Sequence, residues 1–449
     1  MPLPIAENPT LHDRFVASAL AAGANPTPVV EVGIPMRDGI ELAADVYLPV
    51  ETARPAPAIV TITPYDKGSG MLVTAEAKFY QQQGYVFVAV DCRGRAKSEG
   101  EWRAFVHDAA DGHDVIEWVA AQPWCTGKVG MTGLSYMGWT QWAAASAFPP
   151  HLSCMVSTSA AGRWQREIPY TDGCFQLYFG WWVYMVRRRI TESYGLSQTD
   201  WAEKLRELPL EAIGEFIDPA GRTWRDIMDH DTLDDFWRAV RVDDAYQSID
   251  VPCLHVTGWF DLEDLLGAFS HYEGMMAESP AKARQRLIVG PWSHVNSRSP
   301  HDSYAGIPFG SAAAVDMDRV HLRWFDYWLK SAGRGLEDDA PVQLFETGTN
   351  RGRAEATWPL AVREASLYLG GADAGTLAAT PPVQASSRSY RYDPNDPAPT
   401  QINVERYPIE DVPLDQTSVE ARDDVLTWTS PPLTDELVVS GWAHLELFA

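Results

Sequence analysis

Short apolar runs rich in β-branched residues recur along this chain, and helical patterns separate them. The runs are residues 58–63, 86–90 and 129–132, with later members at 254–257 and 287–289. Between the early ones lie residues 75–83 and 109–121, whose apolar positions repeat at helical period. Strands this uniformly apolar are covered on both faces. Their alternation with helices calls for a parallel sheet joined by right-handed crossovers. Ahead of them, residues 29–35 and 40–47 flank Arg37-Asp38-Gly39, and Asp-Gly between two apolar runs signals a hairpin.

The alternation stops at about residue 163. Residues 163–250 carry helical stretches at 175–190, 200–216 and 232–240, with no convincing strand, and the sheet pattern resumes at Val251. A helical block between two sheet strands reads as an inserted cap lying over the carboxyl ends of the strands, where α/β sheets hold their sites. After Lys330 the proportion of Gly, Pro and Ala rises. Short strand patterns at 365–369, 389–392, 425–429 and 436–440 are divided by turn clusters such as 393–397. That is the pattern of an all-β sandwich. The expected division is therefore 1–162 and 251–345 for the two parts of the core, 163–250 for the cap and 346–449 for the sandwich. The last strand pattern (441–448) meets the end of the chain, so the sandwich is expected to be incomplete. A longer precursor or a second chain would complete it, and a homo-oligomer is the other partner expected.

Composition excludes some partners. The 61 acidic and 36 basic residues give a formal charge of −25. Nucleic acid and anionic membranes both select for clustered Lys and Arg, so neither is expected as a partner. No window reaches the apolar length needed to span a bilayer, and the first ten residues lack the pattern of a secretory leader. The five cysteines are scattered, with no CxxC pair, which suits buried thiols in a reducing, cytoplasmic setting. Nothing in the sequence calls for a metal or a cofactor.

The chemistry is concentrated at three strand ends. In the run 129–138, a β-run ends in Gly133-Leu134-Ser135-Tyr136-Met137-Gly138 and a helix-competent stretch follows. This is the strand–turn–helix setting of a nucleophile elbow, with Met137 and Gly138 varying the G-x-S-x-G form. The turn lifts the Ser135 hydroxyl above the sheet, and the helix N-terminus supplies free N–H groups beside a developing oxyanion. Later, the run 254–261 ends in Gly258-Trp259-Phe260-Asp261, and the run 287–294 ends in Gly290-Pro291-Trp292-Ser293-His294. Ser, acid and His thus follow one another in α/β-hydrolase order. Ser135 needs a base, His294 can serve, and Asp261 can orient it. Glu263 and Asp264 are rivals for the acid, and His107, His113, His255 and His271 are read as satisfied polar residues. One oxyanion donor is the backbone N–H of Tyr136. The Tyr65 phenol, after the strand 58–63, is either the second donor or a packing residue.

Together these segments resemble the family of cocaine esterases and X-Pro dipeptidyl-peptidases, serine hydrolases that include the α-amino acid ester hydrolases. The resemblance rests on Thr63-Pro64-Tyr65, on the segment 91–102 with Arg93, Gly94, Glu99 and Gly100, on 111–138 and on the two strand ends at Asp261 and His294. It implies an α/β-hydrolase core, a helical cap and a C-terminal jelly roll. It also implies Ser135 as nucleophile, His294 as base, Asp261 as acid, and Tyr65 and Tyr136 as oxyanion donors. Arg93 and Glu99 are read as braces of their loop.

The expected reaction is hydrolysis of a small carboxylic ester with a bulky or aromatic acyl group, through an acyl-enzyme on Ser135. Candidate pocket residues are Trp164, Phe175, Trp181, Trp182, Phe260 and Trp292. A substrate ammonium would need carboxylates such as Glu167, Asp172, Glu263 or Asp264. With them the chain would be an X-Pro dipeptidyl-peptidase or an α-amino acid ester hydrolase. A non-catalytic binding protein on the same fold is disfavoured, because Ser and His are both present.

Overall fold

A computed structural model describes residues 3–4, 30–49, 54–68, 71–332, 336, 338–372, 374–401 and 413–448. The first ten residues, read above for a leader, lie outside this set apart from residues 3 and 4. The chain divides into two compact units. The first comprises Met1–Ala354 with Val404–Glu410, and the second comprises Glu355–Asn403 with Asp411–Ala449.

The first unit is built on one mixed sheet. Its strands are β1 (Val30–Pro35), β2 (Glu41–Tyr47), β3 (Ala56–Thr63), β4 (Val86–Asp91), β5 (Cys125–Leu134), β6 (Leu152–Thr158), β7 (Cys253–Phe260), β8 (Gln285–Ser293), β9 (Val342–Glu346) and β10 (Arg351–Glu355). They lie in the order β1-β2-β4-β3-β5-β6-β7-β8-β9-β10. β2 pairs antiparallel with β1 and β4, and the strands from β4 through β9 pair in parallel. This is the α/β-hydrolase arrangement.

Burial follows the sequence pattern. Every residue of β3 and β4 is buried, as continuous apolar runs require, whereas the outer hairpin strand β1 is largely exposed. The principal helices are α1 (Met71–Gln82), α2 (Asp108–Ala120), α3 (Tyr136–Ser146), α4 (Phe179–Val186), α5 (Leu265–Glu278) and α6 (Met317–Lys330). One large core cluster joins Tyr80, Phe87, Leu134, Val256, Trp292 and Phe325, which ties helices to both halves of the sheet.

Between β6 and β7 the chain forms the cap. Besides α4 it holds short helices at Ser193–Gln198, Thr223–Asp229 and Asp235–Val240, and one two-residue hairpin, Tyr170–Thr171 against Cys174–Phe175. No described helix is long and apolar enough to cross a membrane. All five cysteines are free, and only Cys174 is exposed.

The division expected between residues 345 and 346 falls at the last residue of β9, whereas the two compact units divide between Ala354 and Glu355. In the second unit the described residues form a three-stranded sheet. Tyr368–Gly370 runs antiparallel to Gly375–Ala378, which pairs in parallel with Trp428–Thr429. The Arg388 guanidinium lies 5.2 Å from the Trp428 ring centre and donates to the Thr427 carbonyl. Residues 389–392 and 436–440, read as strands, are not strands in the structure. Aromatic and β-branched propensity yields a strand only where another strand pairs with it.

One buried ion cluster fixes the loop after β3. The Lys67 ammonium, 3% exposed, lies 3.2 Å from Asp45 and 3.5 Å from Asp91. Asp91 also accepts the Lys67 N–H at 2.7 Å. Burial pushes Asp91 up to about 6 even with the ammonium beside it. Lys67→Met would leave two buried carboxylates without their cation, a loss of about 3 kcal/mol. Urea unfolding of the purified variant should show a clearly lower midpoint, and an unchanged midpoint would refute this role for the cluster.

Candidate active site

Ser135 stands between β5 and α3 with φ 64° and ψ −126°. A serine holds so strained a backbone only where its surroundings leave it no alternative. Its N–H donates to the Thr158 carbonyl of β6 at 3.0 Å, and its carbonyl accepts from Gly138 and Trp139. Neighbouring glycines make room for the turn. A Cβ at Gly133 would come within 2.4 Å of the Met137 Cβ, and one at Gly138 within 2.9 Å of the Thr158 carbonyl oxygen. The second glycine of this variant elbow is therefore required at 138, where α3 crosses the end of β6.

Tyr136 opens α3, so its backbone N–H has no acceptor within the helix. Its side chain is locked in place. The hydroxyl donates to Asp108 at 2.6 Å and accepts from the Phe105 N–H at 2.7 Å. Trp139 donates to the same Asp108 oxygen at 3.0 Å. Burial raises the Asp108 carboxyl to about 7, partly offset by the Tyr136 hydrogen bond. Tyr65, two residues after β3, lines the same cleft as Ser135, and its hydroxyl accepts from the Trp182 indole at 3.0 Å.

His294 and Asp261 meet as the order of the strands suggests. The His294 Nδ1 lies 3.0 Å from Asp261 Oδ1. Asp261 also accepts the N–H groups of Glu263 and Asp264, each at 3.0 Å. Asp264 is a more distant neighbour of His294, at 4.0 Å. Burial acts to raise Asp261, but the charge of His294 and these hydrogen bonds hold it below the usual carboxylate range. Burial dominates at Glu263 and Asp264 and raises both. At His294 burial opposes the charged ring. The carboxylates of Glu263, Asp261 and Asp264 outweigh it and hold the imidazole well above its ordinary value. Ser135 makes no hydrogen bond to His294 in this structure. Glu263 and Asp264, whose charges act on His294, line the same cleft as Ser135.

Several supporting residues carry no sequence signal of their own. Ser159 donates to Ser297 at 2.9 Å, and Ser297 in turn donates to the His294 carbonyl at 2.6 Å. Arg298, buried, is clamped between Glu76 at 2.7 Å and Asp318 at 2.8 Å, which anchors the loop after His294.

The cleft in front of Ser135 encloses about 360 Å³, open mouth included. Phe105, Ile168, Tyr178, Phe179 and Trp182 form its apolar wall, and Glu263 and Asp264 add acid. Of the aromatics named from sequence, Trp182 lines this cleft and the other five do not. Trp164 sits behind it, 4.4 Å from Phe105 between ring centres. Phe175 packs on Tyr170 and Trp224, and Trp181 faces Trp201. Phe260 lies against Phe309, and Trp292 is buried with its indole donating to Ala313. Adjacent residues on a helix point about 100° apart, so α4 can turn Trp182 toward Ser135 only by turning Trp181 away.

Of the named carboxylates, Glu263 and Asp264 reach the cleft. Glu167 is held by Arg163 and Ser270 behind it, and Asp172 pairs with Arg166 at the surface. Arg93 and Glu99 brace their loop. Arg93 pairs with Asp38 and Asp111, and Glu99 accepts the Glu41 N–H. Among the described residues no group of three His, Cys, Asp or Glu could hold a metal.

This arrangement agrees with comparisons to known proteins. Residues 38–296, more than half of the chain, match the X-Pro dipeptidyl-peptidase (S15) family. The chain belongs to the S15 family. Residues 334–449 match the C-terminal non-catalytic domain of X-Pro dipeptidyl-peptidases. The cocaine esterase of Rhodococcus sp. (strain MB1 Bresler) is 30% identical over 93% of this chain and 76% of its own length. A solved α-amino acid ester hydrolase superposes with TM-score 0.76 at 26% identity, over 93% of this chain and 75% of that one. An aminopeptidase from a marine sediment Thaumarchaeota archaeon shares the fold, with TM-score 0.74 over 90% of this chain and 72% of that one.

The carboxylates around His294 predict a titration. Removing the charge of Glu263 leaves the imidazolium less stabilised, so Glu263→Gln should lower the pKa of His294. NMR titration of the His294 ring should show its midpoint moved to lower pH, and an unmoved midpoint would contradict these electrostatics.

Proposed function

We propose that this S15-family chain hydrolyses small carboxylic esters by acyl transfer through Ser135. The observation that carries this reading is the strained Ser135 elbow, with Tyr65 and Tyr136 in the same cleft, together with a buried His294–Asp261 pair at the ends of neighbouring strands. Similarity to an esterase and to an α-amino acid ester hydrolase supports it.

In this mechanism Ser135 attacks the ester carbonyl and His294 takes its proton. Asp261 holds the imidazole by Nδ1, leaving Nε2 for the reaction, and stabilises the imidazolium. The Tyr136 N–H and the Tyr65 hydroxyl hold the oxyanion, each donor worth about 3 kcal/mol of barrier. His294 then protonates the leaving alcohol, and water repeats the cycle on the acyl-enzyme. A Ser–His contact that is long in a substrate-free site tightens when substrate arrives. The aromatic wall suits a bulky or aromatic acyl group, and free cysteines suit a cytoplasmic setting.

A second reading has its own observation. Glu263 and Asp264 line the cleft although burial raises both. An arriving ammonium would stabilise their ionised forms and gain a charged hydrogen bond, which favours substrates with an amino group near the scissile carbonyl. On this reading α-amino acid esters, or peptides with a free amino terminus, are the preferred substrates.

Ser135→Ala should abolish ester turnover and fluorophosphonate labelling while leaving the fold intact; normal turnover by the purified variant would sink the assignment. Against a panel of paired substrates, free α-amino esters should be preferred to their N-acetyl forms. Glu263→Gln should reduce that preference by about tenfold. Equal rates on both members of each pair would leave the simple ester reading standing and remove the second.

A further inference from the structure

Two contacts between core and cap converge on the Tyr65 hydroxyl. The first is direct. An indole N–H can only donate, so Trp182, 3.0 Å away, occupies an acceptor position on the Tyr65 oxygen. The phenol is then left to direct its own proton elsewhere, and it shares its cleft with Ser135. Trp182 is itself held flat in a stack. Its ring lies 5.6 Å from Tyr136 and 5.8 Å from Phe105 between centres, both inclined by 17°.

The second contact is a buried guanidinium. Arg95, fully buried, donates through Nε to the Pro64 carbonyl and through Nη1 to the Val186 carbonyl, both at 2.6 Å. Pro64 immediately precedes Tyr65, and Val186 ends α4, the helix that carries Trp182. One rigid planar fork therefore ties the peptide before the phenol to the helix that bears the indole. Burial of Arg95 lowers it to about 10, which leaves it a cation at neutral pH. A charge kept in so dry a place, facing carbonyls at the end of a helix, is well used there as a clamp.

We propose that Trp182 and Arg95 are positioning residues that aim the Tyr65 hydroxyl at the oxyanion beside Ser135, so that the cap helps to build the oxyanion site. The inference rests on Tyr65 being an oxyanion donor. Neither residue touches the reacting atoms through the group named, since the indole N–H and the guanidinium both act through Tyr65. Their effect must therefore vanish when the phenol hydroxyl is absent.

A double-mutant cycle on the full chain tests this, with an aryl ester as substrate. Trp182→Phe keeps a ring in the stack and removes the N–H. It should lower kcat by about tenfold with KM within about twofold, because the lost interaction matters only in the transition state. Tyr65→Phe should lower kcat by about a hundredfold. In the Tyr65→Phe background, Trp182→Phe should cost nothing further. Arg95→Lys, which cannot bridge both carbonyls, should behave in the same way; if it fails to fold, the Trp182 cycle decides. If Tyr65→Phe leaves kcat unchanged, the oxyanion assignment falls and this inference with it. If Tyr65→Phe is impaired but Trp182→Phe is not, or the two losses multiply, the oxyanion assignment stands and the positioning role is overturned.

Discussion

The backbone of Ser135 is the constraint on which the site depends. A left-handed conformation at a non-glycine residue costs about 1–3 kcal/mol and persists only when the neighbouring structure enforces it. Here β5, β6 and α3 enforce it jointly. The Ser135 N–H is bound to Thr158 of β6, and the Gln141 side chain of α3 donates to the carbonyls of Met137 and Val156. Relaxing the serine would mean separating α3 from β6, which the contact at Gly138 keeps close. The strain is thus sustained by packing of the central sheet, and it delivers one hydroxyl and one free N–H to the same point.

Around that point the electrostatics sort chemically similar groups into different roles. Asp261, Glu263 and Asp264 lie within four residues of one another and all face His294. Asp261 alone combines a short contact to the ring with two backbone N–H donors, so it remains ionised in spite of burial. Glu263 and Asp264 lack that support, and desolvation raises them. A carboxylate with fixed donors can serve as a permanent counter-charge. A carboxyl without them can respond to whatever cation enters the cleft.

Much of this was legible in the sequence because it depends on local pattern. Continuous apolar runs identify β3, β4 and β5, and the order of Ser135, Asp261 and His294 at strand ends needs no tertiary information. Residue-level pocket lining was not legible for the opposite reason. Trp181 and Trp182 are equivalent in composition, and only the rotation of α4 distinguishes them. Ser159, Ser297 and Arg298 are ordinary polar residues whose partners lie up to 222 positions away. The strand patterns at 389–392 and 436–440 mislead because a propensity carries no knowledge of a pairing partner. Glu167 misleads in a similar way, since its partner Ser270 lies 103 residues on, outside the cap.

Core and cap therefore divide the work unequally. Ser135, Asp261 and His294 all leave core strands, so the groups proposed to react are referred to one rigid sheet. Ile168, Tyr178, Phe179 and Trp182, which shape the cleft, come from the cap, where short helices can change without disturbing the sheet. Such a division lets substrate choice vary while the chemistry stays fixed. Its limit is the hydrogen bond from Trp182 to Tyr65, where a cap residue that lines the cleft also touches a core hydroxyl in the cleft of Ser135. At that point a change of specificity cannot be made without a change in rate, and it is there that cap and core must be considered one machine.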